Sequence, residues 1–255
     1  MDSTRYFLSP IGPVAAKWGP MRLRGTIVVL GAPTVIALWF ISGFALTYFT
    51  TEPAEFGIYW PRHQWLLAHV IAGIVALLLG PAQLWFGTNT ITGMVHRILG
   101  VLYVTAVVVS GTAAFYLAVH TDFGWVFGMG FIVMTSAWWV TTALGVIAIC
   151  LHRAEQHREW MIRSYVVTFS FVTFRVLEVV LDSAKLGTIM ERKAAASWMA
   201  WAIPLLLTEC ILQGRKIFAR RVSVAPLPNV NVYTAAPEPP AFDLRDSESF
   251  YQHHP

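Results

Sequence analysis

Several residues in this chain could do chemistry inside a membrane: His69, His96, His120, His152 and His157, with Arg175 and Glu178. All lie in or beside long apolar runs. The densest stretch is His157–Leu181, HREWMIRSYVVTFSFVTFRVLEVVL, which reads as a membrane-spanning helix carrying His157, Arg163, Arg175 and Glu178. At about 100° per residue, Ser164, Thr168, Phe171 and Arg175 fall within roughly 40° of the direction set by His157. One face is therefore polar along its length, while the other is Val, Phe, Tyr and Leu. An ionised group at the bilayer centre costs from about 2.5 to over 10 kcal/mol, so such groups must face protein, a cavity or a cofactor.

The chemistry these types suggest is haem ligation. A low-spin b-type iron takes two axial imidazoles from facing helices. If the basic residues mark the cytoplasmic side, His96, His152 and His157 form one layer, and His69 and His120 another on the far side. Small residues would give a porphyrin room: Gly73, Ala76 and Gly80 share a face with His69, and Gly93 and Gly100 flank His96. Arg97, Arg158 and Arg175 are candidate propionate partners. The competing reading is structural. Gly and Ala stripes also let membrane helices pack closely, and His63 and His152 fit an interfacial position. His96 and His120 point about 120° apart, so one helix cannot present both to haems stacked on one face. Arg175 and Glu178, three apart, suit a helix-surface ion pair, which either binds a quinone, anion or propionate or tethers its helix. Glu209 is expected to cap the bundle rather than carry protons.

The elements that must position these groups follow from composition. Hydrophobic residues make up 56% of the 255 and charged residues 13%, far below the charge of a soluble domain. Mean hydropathy is +0.58. An all-α, polytopic membrane protein is expected. Six runs are long enough to cross a hydrocarbon core of about 30 Å: 26–49, 62–86, 96–120, 125–150, 158–181 and 195–213. The loop His120–Gly124 is so short that the third and fourth helices must be antiparallel neighbours.

Basic residues alternate sides. The N-terminal arm (1–25), Arg97, the His152–Arg163 loop and Arg215–Arg221 share one side, which places both termini in the cytoplasm of a cell with the spans in its inner membrane. Lys185, Arg192 and Lys193 are a mild exception, offset by Asp182 and Glu191. The net charge of +4 thus reads as a topology signal and not as a nucleic-acid surface. Trp60, Trp65, Trp85 and Trp125 fit interfacial anchors, and mid-span Trp138 and Trp139 fit packing. Cys150 and Cys210 have no disulfide or zinc spacing and are expected as buried thiols. After the membrane domain (26–221), residues 222–255 are rich in Pro, Ala, Asn and Ser, and an extended or disordered tail is expected. His253 and His254 there fit a solvated terminus. No hydrolase, nucleotide-loop or metalloprotease motif appears. Pro33, Pro81 and Pro204 could break helices around a transported substrate, although no inverted repeat is visible.

Three segments carry a family resemblance: HVIAGIVALLLGPAQL from His69, HRILGVLYV from His96, and HREWMIRSYVVTFSFVTFR from His157 to Arg175, with AWWVTT at 137–142 between them. Together they resemble a family of bacterial membrane proteins catalogued as domain of unknown function 2306. The HR-x-W-M-x-R-S block is its most specific part. The family-like positions are His69, Gly80, Pro81, Gln83, His96, Arg97, Gly100, Tyr103, His157, Arg158, Trp160, Met161, Arg163 and Arg175. The resemblance implies a helical bundle of the inner membrane and brings no established activity. It supplies three histidines, one short of the four-ligand arrangement of the cytochrome b561 class.

The expectation is therefore a six-helix integral membrane protein. In its sharper form it is a b-haem or quinone-linked electron carrier, with His69, His96 and His157 as candidate ligands and Arg175 steadying an anionic group. The rival is an accessory subunit of a larger membrane complex that binds no cofactor. A small-molecule transporter is a third option.

Overall fold

The computed structural model describes residues 23–50, 52–86 and 93–222, with side chains described only within 31–218. The arm expected over 1–25 and the tail over 222–255, with His253 and His254, lie outside the described residues apart from the backbone at their inner edges. Met1–Gln213 forms one compact unit. A second, Gly214–Pro255, is described only where its helix runs on to Val222.

Without water to satisfy peptide groups, a chain crossing lipid must bond its backbone internally, and every described span is helical. The helices are α1 (Leu23–Gly43), α2 (Pro53–Phe56), α3 (His63–Phe86), α4 (Gly93–Val119), α5 (Trp125–Cys150), α6 (Ala154–Thr168), α7 (Ser170–Ala184) and α8 (Ile189–Val222). Short 3-10 turns precede α2 and α3. Six stretches are long and apolar enough to cross a membrane, with α6 and α7 together making the fifth. The fold is an all-α, multi-pass bundle, as the periodicity and run lengths predict.

Backbone contacts pair α3 with α4, α4 with α5, α5 with α6, and α6 with α3. These four spans form a square, in which α4 and α6 are diagonal and run parallel. α1 packs on α3 and α7. The α4–α5 connection turns through Gly124 at φ +89°, a conformation a side chain would strain. The core holds Ala76, Tyr103, Val107, Met134, Trp138, Tyr165 and Val167. The outer faces of the spans, such as Val101, Val140 and Leu206, stay exposed, as lipid-facing residues do.

Two expectations need correction. The fifth run is not one helix, because it breaks at Phe169 between α6 and α7. There the amides of Val172 and Thr173 both bond the Phe169 carbonyl, at 3.0 and 3.1 Å. Thr168 Oγ1 bonds Ser164 O at 3.0 Å, Thr173 Oγ1 bonds Phe169 O at 3.3 Å, and Ser170 Oγ bonds Val167 O. Hydroxyls bonding back to carbonyls of the preceding turn bend helices. The cysteines are free thiols but not buried. Cys150 and Cys210 are both exposed, because an apolar run in a membrane protein can face lipid as well as the interior.

Candidate functional site

The diagonal pair α4 and α6 builds a polar axis through the square. His96, Tyr103 and Ser110 recur every seven residues on α4, and His157, Ser164 and Phe171 do so on α6 and the start of α7. Seven residues are two turns, so each set shares one face, with about 10.5 Å of rise between members. The helices are parallel, so the sets meet in layers at a constant offset of 61 residues.

In the first layer the His96 and His157 rings face each other with centroids 6.3 Å apart and planes at 87°. His157 Nδ1 lies 2.8 Å from the Gly145 carbonyl. That contact requires Nδ1 to carry the proton and leaves Nε2 as the lone-pair nitrogen, the tautomer that metal-ligating histidines adopt. His96 Nδ1 is buried with no hydrogen-bond partner, so no protein contact occupies it. Gln83 Nε2 donates to the His96 carbonyl at 2.9 Å and so ties α3 to this point of α4. Arg97 and Arg158, each next in sequence to one of the histidines, are exposed.

The second layer is a knot of side-chain hydrogen bonds. Tyr103 Oη lies 2.8 Å from both Ser164 Oγ and Thr168 Oγ1. Trp138 Nε1 donates to Thr168 Oγ1 at 2.9 Å, and Thr142 Oγ1 meets Ser164 Oγ at 2.7 Å. All five side chains are buried. Every polar atom has a partner, as burial in a low-dielectric core demands. Packing accounts for only part of Trp138, because its indole N–H joins α5 to α6.

The third layer holds His69. Its Nδ1 lies 3.1 Å from both the carbonyl and the hydroxyl of Ser110, and its ring meets Phe171 edge-on at 4.8 Å. Ser110 is fourteen residues beyond His96, about 21 Å along α4. Among the described residues no second imidazole meets His69. His120 bonds its own helix through Tyr116 O at 2.9 Å and remains exposed. The small residues beside His69 do not leave porphyrin room. A Cβ at Gly73 would touch Ser110 Oγ at 3.4 Å and Phe171 at 3.8 Å, and one at Gly80 would collide with the Tyr165 ring. Around His96 the surroundings differ. A Cβ at Gly93 would meet nothing within 4 Å, and one at Gly100 would meet the Gln83 amide at 3.7 Å or more.

Arg175 pairs with Glu178 at 2.7 Å, as the spacing predicts, and Lys193 of α8 reaches the other carboxylate oxygen at 2.7 Å. Tyr48 Oη lies 3.5 Å from the guanidinium. Glu178 thus joins α7 to α8 between two cations. At the opposite end of the bundle, Arg163 is buried against Glu209 with Nη2–Oε2 at 2.6 Å, and its guanidinium lies 4.7 Å from the Trp160 ring centre. Sequence reasoning left Ser110 and Thr142 unassigned, counted Lys193 only toward topology, and gave Tyr103 and Arg163 no role. For Tyr103 and Ser110 a signal was present: one polar residue every seven, in step with His96.

Among the described residues no group of three or more His, Cys, Asp or Glu gathers as a metal site. The first layer therefore offers two imidazoles and no further side-chain donor of those types. A structural zinc ion wants four protein ligands, whereas a haem iron takes four nitrogens from its porphyrin and needs only the axial pair. No curated protein and no solved structure matches this chain. The family model described as "Predicted membrane protein (DUF2306)" matches residues 66–212, more than half the chain and the whole of α4 to α7, and the protein belongs to that family.

Proposed function

We propose that the protein is a b-type haem electron carrier of the cell's inner membrane, with His96 and His157 as the axial ligands. The observation that carries this reading is their spacing. Two imidazoles binding one metal from opposite sides, each at about 2.0 Å, have ring centres roughly 6 Å apart, and here they stand 6.3 Å apart. A bound haem would supply reversible one-electron chemistry at low reorganisation. The chain's own residues hold and orient. The Gly145 carbonyl fixes the His157 tautomer, Gln83 anchors the His96 turn, and the exposed Arg97 and Arg158, each next in sequence to one of the histidines, would supply cations for the propionates. His69 and Arg175, which the sequence also offered as ligand and anion partner, belong on this reading to the outer packing layer.

The test is an absorption spectrum of detergent-purified protein from haem-replete cells, oxidised and then dithionite-reduced, with iron assayed on the same sample. A sharp α-band on reduction and about one iron per chain are expected. His96→Ala and His157→Ala should each lose the band while still inserting, and His69→Ala should keep it. A colourless, iron-free wild-type protein overturns the reading and returns the accessory-subunit alternative.

A further inference from the structure

The three span prolines, Pro33, Pro81 and Pro204, come from α1, α3 and α8, yet they line one cleft of about 260 Å³. Its floor is the α6–α7 junction, with Tyr165, Phe169 and Thr173. Leu84 marks the end nearest the first histidine layer, since its neighbour Gln83 bonds the His96 carbonyl. The flanking faces of α1 and α8 are exposed at Leu38, Leu206 and Leu207, so the cleft can be reached from the bilayer.

The polar character of this wall is one-sided. Tyr165 Oη donates its proton to Leu77 O at 3.3 Å, Thr173 Oγ1 to Phe169 O at 3.3 Å, and Thr208 Oγ1 to Pro204 O at 2.8 Å. With the three hydroxyl protons committed, these side chains can only accept. Among the described residues no charged side chain lines the cleft. An apolar, acceptor-lined cavity of this size suits an uncharged ring bearing O–H donors. A phospholipid does not match it: its headgroup is charged, and its tails bring no donor.

We propose that the cleft binds the head of an isoprenoid quinol, its phenolic hydroxyls donating to Thr208 and its neighbours while the tail lies in lipid. This names the membrane-soluble partner of the electron-carrier reading and rests on that reading for its purpose, though not for the binding itself. The oxidised quinone has no O–H to donate, so the cleft prefers the reduced form.

The test measures binding of decyl-ubiquinol and decyl-ubiquinone to the purified full-length protein, together with the quinone extracted from it as isolated. Tighter binding of the quinol and close to one extracted quinone per chain are expected. Thr208→Phe should fill the cleft and abolish both, and Thr208→Val should lower quinol affinity roughly three- to tenfold, leaving quinone affinity unchanged. Equal binding of both redox forms, unchanged affinity in Thr208→Phe, or extraction of phospholipid alone overturns the proposal. The haem spectrum of the same samples separates the two readings. A colourless protein that binds quinol sinks the carrier and keeps the cleft, whereas a haem protein indifferent to quinol sinks only the cleft.

Discussion

Tyr165 reaches α3 because residues 80 and 81 admit it. Gly80 has no side chain where the phenol ring lies, and Pro81 has no amide to occupy the Leu77 carbonyl, which instead accepts the Tyr165 hydroxyl. The glycine and the proline are thus two halves of one socket. Gly80→Ala forces the ring out of it and should destabilise the fold by about 1–3 kcal/mol, the usual range for overpacking. Thermal unfolding in detergent should show a clearly lower midpoint. The same substitution in a Tyr165→Ala background should cost little, since the two residues are coupled through direct contact. Equal losses in both backgrounds would mean that α3 itself resists the methyl group. Composition marks position 80 as small but not what fills the space, because the partner lies 85 residues away and its register depends on the diagonal packing of α4 and α6. The histidines behave similarly. Their membership of a buried polar face was legible from 3.6-residue periodicity, whereas the pairing of His96 with His157, and not with His69, is a tertiary fact.

At the scale of elements, the six spans were readable because lipid imposes length and apolarity on any helix that crosses it. The break at Phe169 was not, since Ser and Thr are common in membrane helices and bend them only when their hydroxyls turn back on the chain. The attachment of α8 was equally hidden. Its first half packs through buried Ala196, Ser197 and Ala200, with Trp198 Nε1 donating to Val126 O at 3.1 Å. Its later residues, Leu206, Leu207 and Ile211, face outward. Glu209 holds that stretch to α6 by accepting from Arg163 Nε and Nη2 at 2.7 and 2.6 Å. Arg163 is buried and Glu209 is 42% exposed, so breaking the pair should cost less than the 3–5 kcal/mol of a fully buried one, about 1–2 kcal/mol. Glu209→Gln and Arg163→Met should each lower the unfolding midpoint, and the double variant should recover part of the sum. Strict additivity would show that the two side chains stabilise independently.

The whole molecule has two unlike ends. At the His96 end, Arg97, Arg153 and Arg158 are exposed. At the other, Arg62 lies 3.4 Å from Asp122, Arg192 lies 2.8 Å from Asp182, and Lys193 shares Glu178 with Arg175. Acidic neighbours contribute little to the insertion rule, which counts Lys and Arg near the span ends. By that count, the alternation of segments along the sequence gives the side of Arg97, Arg153 and Arg158, to which it also assigns Arg215 and Lys216, more Lys and Arg than the side of Arg62, Lys185, Arg192 and Lys193. The His96 end should therefore be cytoplasmic, with the Asp122 turn on the far side. Cys150 and Cys210 are exposed, so both must first be replaced by Ser to give a silent background. In that background a cysteine at Asp122 should react with a membrane-impermeant maleimide on intact spheroplasts. One at His152, exposed at the opposite end, should react only after permeabilisation. The reverse pattern would invert the protein in its membrane and put its His96–His157 layer near the outer surface. A mixture would mean that four basic residues at the Asp122 end suffice to compete with those at the other.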